Sequence, residues 1–105
     1  MTTRGGAAPA RKGARFEARV VRDQETQGRT AMRVRQGGGE VVDVVAFQRM
    51  TNWARVYFIQ AKTTGAISSR ERASLVSRAQ GASARALLAY PASGGICYEE
   101  LSSGD

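Results

Sequence analysis

The apolar run Val56-Tyr57-Phe58-Ile59 ends abruptly in Gln60-Ala61-Lys62, and a second apolar run, Val41-Val42-Asp43-Val44-Val45-Ala46, has an acid inside it. Short continuous apolar runs of this kind read as buried strands. Buried strands rarely carry charge, because an unpaired ion taken out of water is costly or neutralises by shifting its pKa. Here two neighbouring strand-like segments each carry one charged residue, an acid in the first and a lysine in the second.

The rest of the chain supplies a frame for these two strands. Residues 1–12 are basic and rich in Gly, Ala and Pro. They bury too little to order themselves and are expected to form a flexible arm, leaving 13–105 as one domain. Gly13 to about Gln24 reads as a helix, with Phe16, Val20 and Val21 on one stripe and Arg15, Arg19 and Arg22 on another. Thr30 to Arg35 alternates like a half-exposed strand, and Gln36-Gly37-Gly38-Gly39 is a turn. Val41 to Phe47 and Trp53 to Thr63 are the next strands, joined by a turn at Gln48 to Asn52. The three make a meander.

Ser68 or Ser69 caps a second helix, with Glu71 and Arg72 in its first turn. It runs to about Gln80, with Ala73, Val76 and Ala79 (or Leu75 and Ala79) facing inward, and stops at Gly81. Ala84 to Tyr90 is a buried strand, Pro91 to Gly95 a turn, and Ile96 to Leu101 a last, edge strand. Helix, three strands, helix, two strands is an α/β domain with a mixed sheet of about five strands.

Composition narrows the chemistry. The 105 residues suit one modest core, and the net charge is +7 with a pI near 10.8. Residues 1–35 hold nine basic residues against three acids, so the excess is concentrated. That is the electrostatic footprint of a polyanion binder, usually nucleic acid. No histidine is present, which removes serine and cysteine triads, histidine bases and most zinc sites. Cys97 is alone, so no disulfide is expected. No apolar run reaches the roughly 20 residues of a membrane span, and the N-terminus lacks a signal-peptide apolar region. A reducing, intracellular setting is the default, with no membrane partner and no small-molecule substrate.

Strand residues two apart share a face, so Gln60 and Lys62 project together. Asp43, on the paired strand, is expected beside them. A magnesium ion takes oxygen ligands and needs only one or two carboxylates from the protein. Asp43 supplies one; the Gln60 side-chain oxygen and the Ala61 carbonyl complete the protein's share. Lys62 stands where it orients the attacking water or stabilises charge on a phosphate. Glu17, on the first helix, is placed to reach the same site as a further ligand or a metal bridge. Acid, metal and lysine against a phosphate together point to a nuclease.

Helix-Glu, glycine turn, strand-Asp and a strand ending in Gln-x-Lys, in that order, resemble the PD-(D/E)xK nuclease superfamily. The likeness is greatest to archaeal-type Holliday junction resolvases, including phage-encoded relatives. It rests on Gly13-Ala14-Arg15-Phe16-Glu17, Val34-Arg35, Gly37-Gly38-Gly39, Val42-Asp43-Val44-Val45-Ala46 and Tyr57-Phe58-Ile59-Gln60-Ala61-Lys62. The later segments Ala82 to Tyr90 and Tyr98-Glu99-Glu100 extend it over nearly the whole chain beyond the arm.

The resemblance implies a restriction-endonuclease-like sheet of order αβββαββ and a magnesium-dependent endonuclease, with manganese able to substitute. It also implies a two-fold symmetric homodimer acting on branched DNA, in a prokaryotic cytoplasm or a phage-infected host. It carries Glu17, Asp43, Gln60 and Lys62 over as active-site positions. Arg4, Arg11, Lys12, Arg15, Arg19, Arg33 and Arg35, with the Gly38 backbone, are the expected DNA contacts. Phe47, Met50, Trp53 and Tyr90 are the candidates for an apolar dimer surface.

The chain departs from the family at three points. Gln60 stands where the family has Glu, Val42 where it has Pro, and the glycine loop lacks a serine. Glutamine keeps an oxygen ligand but loses a charge, so weaker metal affinity is expected. Two other readings fit the same residues: a flap or repair nuclease of this fold, or a decayed nuclease kept as a DNA-binding module.

Overall fold

The computed structural model describes residues 4–34 and 41–102, and for residues 4–11 the backbone alone. The element order is α1 (Arg4–Thr26), β1 (Thr30–Arg33), β2 (Val44–Arg49), β3 (Ala54–Ala61), α2 (Ser69–Gly81), β4 (Arg85–Ala92) and β5 (Gly95–Leu101). The strands form one sheet in sequence order, β1-β2-β3-β4-β5. β3 and β4 run parallel and every other pair is antiparallel. A parallel pair needs a crossover, and α2 is that crossover. β5 is an edge strand as expected, and β1 is the other edge.

The first helix is longer than periodicity alone marks. It begins at Arg4 rather than Gly13, so residues 4–12 of the expected arm have helical backbone. Alanine, arginine and lysine there are strong helix formers and extend a helix already held at Phe16, against the cost of Gly5, Gly6 and Pro9 in the same stretch. The second helix starts as expected. Ser68 Oγ accepts from the Glu71 N–H, and Glu71 Oε1 accepts from the Ser68 N–H, a reciprocal capping box. Its inward residues are Leu75, Val76 and Ala79, whereas Ala73 is exposed. The glycine turn at 36–39 lies outside the described residues.

One helix covers each face of the sheet. On one side Phe16 and Val20 of α1 pack with Val44, Ala46, Tyr57, Ile59, Leu87 and Ala89. On the other, Leu75, Val76 and Ala79 of α2 pack with Val42, Ala86, Leu88 and Leu101. Each fully buried aliphatic side chain stabilises the fold by about 1.5–3 kcal/mol. α1 is also pinned near its C-terminus. The Arg29 guanidinium lies 4.3 Å over the Tyr57 ring and donates to Gln24 Oε1 at 2.7 Å.

The alternation of β2 breaks at one place. Val44 belongs to the α1-side core, yet Val42, two residues back, belongs to the α2-side core. Asp43 donates its N–H to the Ile59 carbonyl, and Ile59 is already the register partner of Val44. Two residues set against one is a β-bulge, a feature common beside active sites. Asp43 therefore sits just outside the ladder rather than inside a regular strand.

Candidate active site

The bulge turns Asp43 toward the end of β3, where its Oδ2 accepts the Ala61 N–H at 2.8 Å. Asp43 is buried, 8 % exposed. Burial pushes its carboxyl up from 3.8 to about 6; the Ala61 N–H and the Lys62 ammonium oppose that rise, while Glu17 and Glu71 add to it. A buried acid that other carboxylates drive toward its neutral form is a group in want of a cation.

Gln60 and Lys62 project to one face, as two-residue spacing requires, and both meet α2. Gln60 Nε2 donates to Glu71 Oε2 at 3.4 Å, and Lys62 Nζ donates to the same oxygen at 2.9 Å. The Lys62 ammonium and the Ser68 N–H hold the Glu71 carboxyl below its usual range. Gln60 Oε1 is buried and, among the described residues, has no hydrogen-bond partner. Ala61 enters the site through its N–H.

Glu17 reaches the site's margin from α1. Its Oε1 accepts from Arg33 Nε at 3.1 Å and Arg33 Nη2 at 2.9 Å. Arg33, expected as a DNA contact, is thus tied to Glu17, though its side chain remains 48 % exposed. Among the described residues no group of three or more His, Cys, Asp or Glu side chains surrounds one point. The Gln60 amide oxygen, which the sequence names as a ligand, is a further oxygen donor available there.

Glu71 is the site residue that sequence reasoning placed only in a helix turn. The signal was present: Lys62 at the end of a buried strand needs an acid, and Glu71 opens the helix that follows.

On the α1 side of the sheet a basic groove opens. Lys12, Arg15, Phe16 and Arg19 of α1, with Thr63 and Pro91, line a cavity of about 530 Å³. Lys12, Arg15 and Arg19 are exposed, so three of the expected DNA contacts lie together. The side chains of Arg4 and Arg11, together with Arg35 and Gly38, lie outside the description.

No protein-family model matches the chain, and no curated protein does. Among solved structures it is similar to Hjc of Archaeoglobus fulgidus, a Holliday junction resolvase from an archaeal hyperthermophile. The two superpose with a TM-score of 0.69 at 25% identity, over 84% of this chain and 76% of that one. The chain has the fold of an archaeal-type Holliday junction resolvase. This restriction-endonuclease-like fold, αβββαββ around a five-stranded mixed sheet, is the one the sequence implies. In this resolvase fold Asp43, just before the start of β2, lies beside the end of β3, where Gln60 and Lys62 meet the start of α2.

Proposed function

We propose that the chain is a divalent-metal-dependent endonuclease that resolves four-way DNA junctions by paired, symmetric cleavage as a homodimer. The observation that carries this reading is the 2.8 Å bond from the Ala61 N–H to Asp43 Oδ2. It fastens the acid of β2 to the strand that presents Gln60 and Lys62, in a fold shared with a junction resolvase.

The residues present fit a hard cation. Gln60 Oε1 is a buried acceptor without a donor, and the Asp43 carboxyl is raised to about 6 chiefly by burial. Asp43 and Gln60 would hold magnesium, with the Ala61 carbonyl and Glu17 as further oxygens; manganese has the same ligand preference. When bound, the metal would polarise the scissile phosphate and lower the pKa of the attacking water.

The chain's own groups do the rest. Asp43 is held in one orientation by the Ala61 N–H, which fixes the charge against the phosphate. Lys62 brings an ammonium to the same point, where it balances charge developing on phosphate oxygens. The groove of Lys12, Arg15 and Arg19 holds the DNA backbone by phosphate contacts, which carry no base sequence. A junction has two equivalent strands to cut, and a two-fold dimer matches that symmetry. Branched DNA places the protein inside a cell. No described helix is long and apolar enough to cross a membrane.

Cleavage of a four-way junction with and without magnesium, alongside Lys62→Ala and Asp43→Asn, tests the reading. The wild type is expected to cut only with metal, and both variants to bind without cutting. Variants that still cut would overturn the site assignment. A second reading, a DNA-binding module without catalysis, draws on Gln60 standing where an acid is expected. Salt-dependent junction binding with no hydrolysis in magnesium or manganese would establish it.

A further inference from the structure

β3 presents an amide where its metal site would gain most from an acid, and that amide is only half used. Gln60 is 5 % exposed. Its nitrogen is taken by Glu71, while its oxygen is buried without a partner. A buried acceptor left unsatisfied costs about 1–3 kcal/mol, and a cation at that oxygen removes the cost.

The carboxylate beside it comes from α2. Glu71 Oε1 accepts the Ser68 N–H at 3.2 Å as half of the capping box. That bond fixes one oxygen and aims the other, Oε2, at Gln60 and Lys62. Asp43 experiences Glu71 as a nearby negative charge, and Asp43 is bonded to Ala61, between the two residues that Glu71 meets. Lys62 offsets that charge in the metal-free protein through its 2.9 Å ion pair.

We propose that Glu71 supplies the second metal-binding carboxylate that β3 lacks, so that Asp43, Gln60 Oε1 and Glu71 Oε2 form the cation's donor set. The inference rests on the nuclease reading above and adds a residue to it. A cation taking Glu71 Oε2 frees Lys62 Nζ from its ion pair to face the scissile phosphate. One carboxylate therefore has two successive partners, the lysine before metal entry and the metal after it.

Glu71→Gln separates this role from helix capping, since glutamine at the same position also accepts the capping N–H. Mn2+ is titrated into the full-length protein and the free ion followed by electron paramagnetic resonance, with circular dichroism reporting the fold. Glu71→Gln is expected to weaken Mn2+ binding by about tenfold or more while keeping wild-type helicity, since a hard cation depends on anionic oxygens. Adding Gln60→Glu to that variant is expected to restore binding to within about threefold, by returning the charge to the strand. Unchanged Mn2+ affinity in Glu71→Gln, with Asp43→Asn abolishing it, overturns the inference and leaves the nuclease reading standing. Failure of Gln60→Glu to rescue a folded Glu71→Gln protein also overturns it. A wild type that neither binds Mn2+ nor cuts a junction overturns both.

Discussion

Asp43 stands between stability and function. Its carboxyl titrates at about 6 rather than 3.8, chiefly because burial disfavours the charge. The native protein therefore holds that proton at pH values where the unfolded chain has released it. The resulting destabilisation is absent below 3.8, grows as pH rises to about 6 and is complete above it, on the order of 3 kcal/mol. Metal-free Asp43→Asn is thus expected to melt several degrees above the wild type at pH 7.5, the gap closing toward pH 4, by scanning calorimetry. Magnesium should raise the melting temperature of the wild type alone, because only the carboxylate gains from it. Lys62→Ala should lower junction cleavage by about 100-fold or more, with binding in a gel-shift assay within a few-fold of wild type. The types and spacing of these residues were legible in the sequence. The bulge that frees Asp43 from the ladder was not, because it depends on which partner each β2 backbone group finds.

At the scale of elements, two helix features carry the site. The Ser68–Glu71 capping box starts α2, and Glu71 ties that start to Gln60 and Lys62 at the end of β3. Ser68→Ala should cost about 1 kcal/mol, a fall of roughly 4–8 °C in melting temperature for a domain this size. α1 presents the basic groove. Arg15→Ala and Arg19→Ala should each weaken junction binding uniformly across sequences and reduce the salt slope of the affinity by about 1, without moving the melting temperature. Helix and strand identities followed from periodicity and capping signals. The boundary of α1 did not, because a composition rich in Gly, Ala and Pro suggests a loose arm while its Ala and Arg residues tolerate extension from a helix anchored at Phe16. Glu71 escaped notice for a related reason: a capping acid satisfies local rules completely, so nothing in its segment asks for a second role.

At the scale of the whole molecule, two large apolar side chains among the described residues stand outside the core. Met32 on edge strand β1 is 52 % exposed and Trp53, before β3, is 54 % exposed. Phe47 and Met50 are half-buried, while Tyr90 packs against the α2-side core. Of the four expected interface residues, Trp53 is the most available, and Met32 joins it as a residue the alternating pattern of β1 passed over. If the homodimer uses these side chains, Met32→Lys with Trp53→Glu should raise the dimer dissociation constant by about tenfold or more in analytical ultracentrifugation. The same variant should convert paired cutting into single nicks, since two active sites would no longer meet one junction.

The sequence by itself determined the order of elements, the mixed sheet and the residues proposed to hold a metal against a phosphate. Those follow from local rules: the period of apolar residues, the turn and cap signals, and the cost of burying a charge. Tertiary structure alone decided that Asp43 lies outside the ladder, that Arg33 is tied to Glu17, and that Gln60 and Lys62 share a carboxylate from α2. Each of these is a choice of partner among residues far apart in the chain. Such choices are made only when the strands pair and the helices dock.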